Sequence, residues 1–164
     1  KRQVHVQVQS HPASNRPVAL ITGASSGIGE ALAQVFAQRN HDLVLGARRI
    51  DRLTQLAEEI EQSSNVRCVV QACDVMQTDD VEALAELARD TFGRIDVVVA
   101  NAGYSAQGRF DQFSEAEIRR QLEVNVMGVV RTIRATQDDL ILAKGRLAIV
   151  GSVNSFVSVA STGV

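Results

Sequence analysis

Residues able to do chemistry cluster first in Thr22-Gly23-Ala24-Ser25-Ser26-Gly27-Ile28-Gly29, between a β-branched run and an amphipathic stretch. Glycines at such a junction let the backbone turn sharply and approach a pyrophosphate with no Cβ in the way, while the N–H groups and dipole of the following helix attract the anion. A glycine-rich turn without a ligand is the alternative. The spacing G-x-x-x-G-x-G after a strand and before a helix is more specific than a lone G-x-G-x-x-G. Gly23, Ser25, Ser26, Gly27, Ile28 and Gly29 are therefore the candidate phosphate-binding residues.

Two further β runs end in side chains suited to the rest of a dinucleotide. The run Asp42 to Ala47 ends in Gly46-Ala47-Arg48-Arg49, where an acidic residue would bind the ribose hydroxyls of NAD. An uncharged Ala47 followed by Arg48 and Arg49 instead suits the 2′-phosphate of NADP, which a guanidinium holds by paired, charge-assisted hydrogen bonds. NADP is thus expected as cofactor in preference to NAD. The competing reading, a solvated face at a helix start, places arginine against the helix dipole. Asp74, followed by Val75, closes the third run. A carboxylate there can accept from an adenine amino group or cap the next loop.

These residues need a scaffold, and the pattern of the chain supplies one. From Pro17, short β-branched runs alternate with amphipathic stretches, the signature of βαβ units and a parallel sheet. Strands are expected at Val18 to Thr22, Asp42 to Ala47, Val66 to Cys73, Ile95 to Ala100 and Arg146 to Gly151. Helices are expected from Ile28 to Arg39; around Leu53, Leu56, Ala57 and Ile60; from Asp79 with Val81, Leu84, Leu87 and Ala88 inward; and from a Ser114/Glu117 capping box to Lys144, with Gly145 as C-cap. A break is expected near Asn125, because asparagine competes with the backbone for hydrogen bonds and is a poor helix-interior residue. The fold class expected is α/β, a Rossmann-like doubly wound parallel sheet of order 3-2-1-4-5, incomplete in that it has five of the usual seven strands.

Composition excludes several classes. The 164 residues are 45% hydrophobic and 22% charged with a net charge of -2, as in an ordinary globular domain. Basic residues are scattered, so the electrostatic footprint of a nucleic-acid binder is missing. No apolar run approaches the roughly 18 residues of a membrane span. His5, His11 and His41 have no metal-ligand spacing, and no metal site is expected. Cys68 and Cys73, five apart in what reads as one strand, point to opposite faces and cannot pair there. Two unpaired thiols suit a reducing compartment, so a cytoplasmic location is expected. Residues 1–16 are polar, with Val4, Val6 and Val8 alternating; they read as a disordered tail or a short extra strand ahead of a domain over 17–164.

Thr22-Gly23-x-x-x-Gly27-Ile28-Gly29 resembles the nucleotide-binding motif of the short-chain dehydrogenase/reductase family, in its compact single-domain branch. The resemblance covers residues 17 to 164. Asp74-Val75 matches the family pattern and implies a contact with adenine. Asn101-Ala102-Gly103 resembles the family's Asn-Asn-Ala-Gly element, with Ala100 in place of the first Asn, and implies a position beside the adenine ribose. Asn125-Val126-Met127-Gly128 resembles its Asn-x-x-Gly element, implying a local irregularity that frees a carbonyl to hold a water in a proton relay; a simply kinked helix is the alternative. Ser152, after the fifth run, resembles the catalytic serine, which hydrogen-bonds the substrate carbonyl or alcohol. Ser155, Ser158 and Ser161 lie close by, and the strand-end position selects Ser152.

The resemblance implies hydride exchange between NADP(H) and a carbonyl/alcohol substrate, with a homo-oligomeric parent protein. A tyrosine phenol would pass the proton. With a free pKa near roughly 10 it needs a lysine four residues on to stabilise the phenolate. Tyr104 is the one tyrosine, and Lys1 and Lys144 are the two lysines, so Tyr-x-x-x-Lys is absent. The expected place, about 13 residues beyond the serine, falls just past Val164. The chain accordingly reads as a truncated front portion, inactive alone, carrying Asn125 and Ser152 of the catalytic set. A non-catalytic dinucleotide-binding sensor is the alternative. Ser105 to Phe110 and Asn154 to Val159 are the segments expected to reach the substrate, and Tyr104 is either near the nicotinamide end or a plain loop residue.

Overall fold

The computed structural model describes residues 15–106 and 110–152. Val4, Val6 and Val8, the segment Asn154 to Val159, and Ser155, Ser158 and Ser161 lie outside the described residues, as do Gln107, Gly108 and Arg109 of the segment Ser105 to Phe110. Five strands, β1 (Val18–Thr22), β2 (Asp42–Ala47), β3 (Cys68–Ala72), β4 (Val97–Ala100) and β5 (Arg146–Ile149), form one sheet in the order β3-β2-β1-β4-β5. Every neighbouring pair is parallel. The helices are α1 (Gly27–Gln38), α2 (Ile50–Ser63), α3 (Thr78–Phe92), α4 (Glu115–Leu122) and α5 (Gly128–Ala143).

Both faces of the sheet are covered at β1, β2 and β4, as their near-continuous apolar runs require, whereas the edge strand β5 is exposed along its length. Ala19, Ile21, Leu43 and Leu45 pack with Ala33 and Ala37 of α1 and Leu53, Leu56, Ala57 and Ile60 of α2. On the other face, Val18, Leu20, Val44 and Val98 pack with Val81, Leu84, Ala88 and Phe92 of α3 and with Val124. The doubly wound reading is thus realised. Leu87 is only half-buried, and its expected place is shared by Ala85 and Phe92.

The strand ends differ from the periodicity in instructive ways. β3 loses Val66, Arg67 and Cys73 from the expected run, and β4 and β5 are each two residues shorter. An apolar pattern records burial, whereas a strand lasts only as long as its neighbour offers hydrogen-bonding partners. Cys73, one residue past β3, is still on the opposite face from Cys68, each in a different core cluster. Burial, with smaller contributions from Glu61 and Asp42 at Cys68 and from Asp80 and Asp74 at Cys73, pushes both thiols up to about 12.

Gly145 is not the left-handed residue that ends α5. Lys144 takes that conformation (φ 51°), and the Gly145 N–H donates to the Leu140 carbonyl at 2.8 Å. Gly145 is there for space, since a Cβ on it would sit 2.3 Å from the Asp96 carbonyl oxygen. The Ser114 capping box forms as expected, with Ser114 N donating to Glu117 Oε2 and Glu117 N donating to Ser114 Oγ. Two outcomes follow. Gly145→Ala, forced against backbone that cannot give, is expected to lower unfolding free energy by about 1–3 kcal/mol in a denaturant titration. Both thiols are expected to resist a disulfide reagent at pH 8 and react fully once the chain is unfolded, because the thiolate is the reactive form.

Candidate functional site

β1 and β4 are neighbours although five elements separate them in sequence, so the loops at their carboxyl ends diverge to opposite faces and leave a crevice between them. Its floor is a backbone contact. Gly23 (φ 69°) passes so close to the loop after β4 that a Cβ on it would lie 2.7 Å from the Ala102 Cα. Thr22, 1% exposed, fixes this approach. Its Oγ1 accepts from Asn101 N (3.2 Å) and Ala102 N (3.3 Å). The Asn101 amide returns two bonds, donating to the Thr22 and Gly23 carbonyls at 3.1 Å each. Gly29 lets α1 close onto this knot, where a Cβ would fall 2.5 Å from Asn101 Nδ2.

Gly27 is different. It has φ 60° with nothing within 4 Å of where a Cβ would stand, and no side chain caps the α1 N-terminus at Ser26. An open left-handed glycine beside an uncapped helix N-terminus has the form of an anion cradle. The fit to a pyrophosphate therefore rests on bare backbone at Gly27 and Gly29. Ile28 stands 61% exposed at the rim.

Arg49 reaches from the start of α2 across to this loop. Its guanidinium donates to Ser25 Oγ (3.2 and 3.0 Å), the Ser25 carbonyl (3.4 Å) and Ser26 Oγ (2.7 Å). Arg48, exposed like Arg49, stands beside it. The residue with fixed geometry at the end of β2 is thus Arg49, not the Arg48 that directly follows the uncharged Ala47. Asp74 performs the loop role open to it, with Oδ1 accepting from Met76 N at 3.0 Å, and it also lines the cleft. Val75 is buried against Gly128, where a Cβ would meet it at 2.7 Å.

The expected break near Asn125 is a π-helical turn, Glu123–Met127, joining α4 to α5. Such turns widen a helix by one residue and recur at functional sites. The Asn125 amide makes a two-pronged pair with the backbone of Tyr104, accepting from its N and donating to its O at 2.8 Å each. The Tyr104 backbone is thereby clamped, and its ring centroid lies 4.6 Å from the Arg120 guanidinium.

These residues share one cleft of about 790 Å³. It gathers Gly23, Ser25, Ser26, Ile28, Arg48, Arg49, Asp74, Val75, Asn101, Ala102, Gly103, Asn125 and Ser152; Gly27 and Gly29 stand outside its lining. Three arginines (Arg48, Arg49, Arg120) and one carboxylate (Asp74) leave it positive. Among the described residues there is no cluster of three metal-ligating side chains and no helix long and apolar enough to cross a membrane.

Several contributors were invisible in the sequence. Arg131 donates to the Val75 carbonyl and Thr78 Oγ1, both at 3.3 Å, and pairs with Glu123, tying the β3–α3 loop to the π turn. Gln121 and Arg120 line the cleft from α4. Nothing local marks Arg131, since Val75 and Thr78 lie more than fifty residues away in sequence.

A family model of short chain dehydrogenases matches residues 17–164, and the chain belongs to that family. An uncharacterized oxidoreductase of Staphylococcus saprophyticus is 40% identical over 118 residues, 72% of this chain and 47% of that protein. The chain spans about half the length of the curated relatives it matches. Among solved structures, an alcohol dehydrogenase from the archaeon Thermococcus sibiricus, complexed with 5-hydroxy-NADP, superposes with a TM-score of 0.86 at 39% identity, covering 90% of this chain and 63% of that one. A short chain dehydrogenase/reductase from Burkholderia phymatum in complex with NAD gives 0.85 at 29% identity, covering 90% and 53%.

The Thr22 knot gives a direct test. Thr22→Val keeps the shape but removes the oxygen that serves two N–H groups, and is expected to cost about 1–3 kcal/mol of unfolding free energy. Thr22→Ser should restore most of it.

Proposed function

We propose that this chain is the cofactor-binding portion of an NADP(H)-dependent oxidoreductase that exchanges hydride with a carbonyl or alcohol carbon. The observation that carries this reading is the positive mouth of the cleft, where Arg49 is already fixed on Ser25 and Ser26 and β2 ends without a carboxylate. The solved relatives bound to 5-hydroxy-NADP and to NAD support a nicotinamide dinucleotide as the class of ligand.

In this reading each residue has a task. Bare backbone at Gly23, Gly27 and Gly29 and the α1 N-terminus hold the pyrophosphate. Arg48 and Arg49 with Ser25 and Ser26 hold the 2′-phosphate by charge-assisted hydrogen bonds. Asp74 accepts from the adenine amino group through the oxygen left over from Met76, and Val75 and the turn of Asn101, Ala102 and Gly103 flank the adenosine. Ser152, at the cleft end nearest β5, donates its hydroxyl proton in a hydrogen bond to a substrate carbonyl oxygen. Asn125 positions the Tyr104 loop over that end. A bound reduced nicotinamide supplies the hydride. The proton needs an acid that a Tyr-x-x-x-Lys pair would provide, and these 164 residues hold no such pair. We therefore propose that the chain binds cofactor without turning it over, and that catalysis, the carbonyl or alcohol substrate and homo-oligomer formation belong to the longer protein.

Fluorescence titration of the chain with NADPH and NADH tests this. NADPH is expected to bind at least tenfold more tightly, and Arg49→Ala to erase most of the difference, since a hydrogen bond to a charged group is worth about 1.5–3 kcal/mol. Equal affinity for the two cofactors would refute the NADP preference, and binding of neither would refute the reading as a whole.

A further inference from the structure

Gln121 is a polar side chain without a visible purpose. It is 4% exposed on α4, and its buried Nε2 has no hydrogen-bond partner among the described residues. A buried amide left unpaired costs free energy that a leucine of similar size would not, so such a group calls for an explanation.

Its surroundings supply one. Gln121, Val124 and Gly128 form the buried stripe of the α4–α5 helix. Gly128 packs directly on Val75, and Val124 shares a core cluster with Val75. Gln121 lines the same cleft as Asp74, Val75 and Val124. The amide therefore lines the cleft from the stripe of that helix that packs on Val75. Its Nε2 is turned away from solvent, so the two-pronged use of this amide needs rotation about the side-chain torsions, the last of which is broad for a carboxamide, to turn both ends to the cleft.

Resting on the proposed dinucleotide function, we infer that Gln121 is a specificity-determining residue that reads the edge of the adenine ring. A carboxamide is the side-chain group that pairs with adenine in two prongs, Oε1 accepting from the N6 amino group and Nε2 donating to the adjacent ring nitrogen. Adenine carries two amino hydrogens, so one serves Gln121 while the other serves Asp74. Ligand binding then satisfies the amide that the protein alone leaves unpaired. Hydrophobic flanking by Val75 and Val124 excludes water from the pair and strengthens it.

The experiment uses Gln121→Leu and Gln121→Glu in the full 164-residue chain, with thermal melting in the absence of ligand. Binding is measured for NADPH, for adenosine 2′,5′-bisphosphate, and for reduced nicotinamide mononucleotide, which lacks adenine. Gln121→Leu is expected to melt at or above the unsubstituted temperature, yet to bind NADPH and the bisphosphate roughly tenfold more weakly. Its affinity for the mononucleotide should be unchanged. Gln121→Glu, which accepts but no longer donates when ionised, should lose affinity for the same two adenine ligands. Undiminished bisphosphate binding by Gln121→Leu would overturn the inference while leaving the dinucleotide reading intact. An equal loss for all three ligands would show a structural role and overturn it as well. Failure of the unsubstituted chain to bind any adenine ligand would refute the dinucleotide reading and this inference with it.

Discussion

The turn after β1 and the turn after β4 touch backbone to backbone, and most of the site depends on that contact. Gly23 can lie against Ala102 because it has no side chain, and Thr22 and Asn101 convert the approach into a closed set of hydrogen bonds. Since the donors and acceptors involved are largely removed from water, each bond left unmade would carry its full desolvation cost. The glycine loop is thereby held in a shape with an open left-handed Gly27 at the α1 N-terminus. A loop held by its neighbours spends less conformational entropy on binding an anion than one that must be ordered by it.

The far wall is one long helical run interrupted by a π turn. That turn carries Asn125, whose amide is wholly engaged with the Tyr104 backbone. The same run carries Gly128, which admits Val75, and Arg131, which grips the loop behind Val75. The loops after β3 and β4 are therefore both fastened to one element. Displacing either would strain the other, and this is how residues from four separate segments keep a common geometry around the cleft.

The cleft these elements enclose is positively charged. Arg48, Arg49 and Arg120 face a cleft with a single carboxylate, and Arg49 is prepositioned by two serines of the glycine loop. Burial has the opposite effect on the two cysteines, whose thiols are pushed far above the range in which they would react. Chemistry in this part of the molecule is thus confined to the carboxyl edge of the sheet.

Membership of the short chain dehydrogenase family, the strand order and the doubly wound layers were legible from one sequence. Apolar periodicity and glycine spacing are local signals with local causes. Leu53, Leu56, Ala57 and Ile60 face inward because a helix has 3.6 residues per turn, whatever surrounds it. The strand ends of β3, β4 and β5, the left-handed Lys144 in place of Gly145, the bonded Arg49 beside an exposed Arg48, the grip of Arg131 and the unpaired amide of Gln121 were decided only by the fold. Each depends on a partner distant in sequence, such as the Asp96 carbonyl for Gly145 or the Val75 carbonyl for Arg131. A short-range pattern records which face of an element is buried, and only the packed structure determines which atom meets it there.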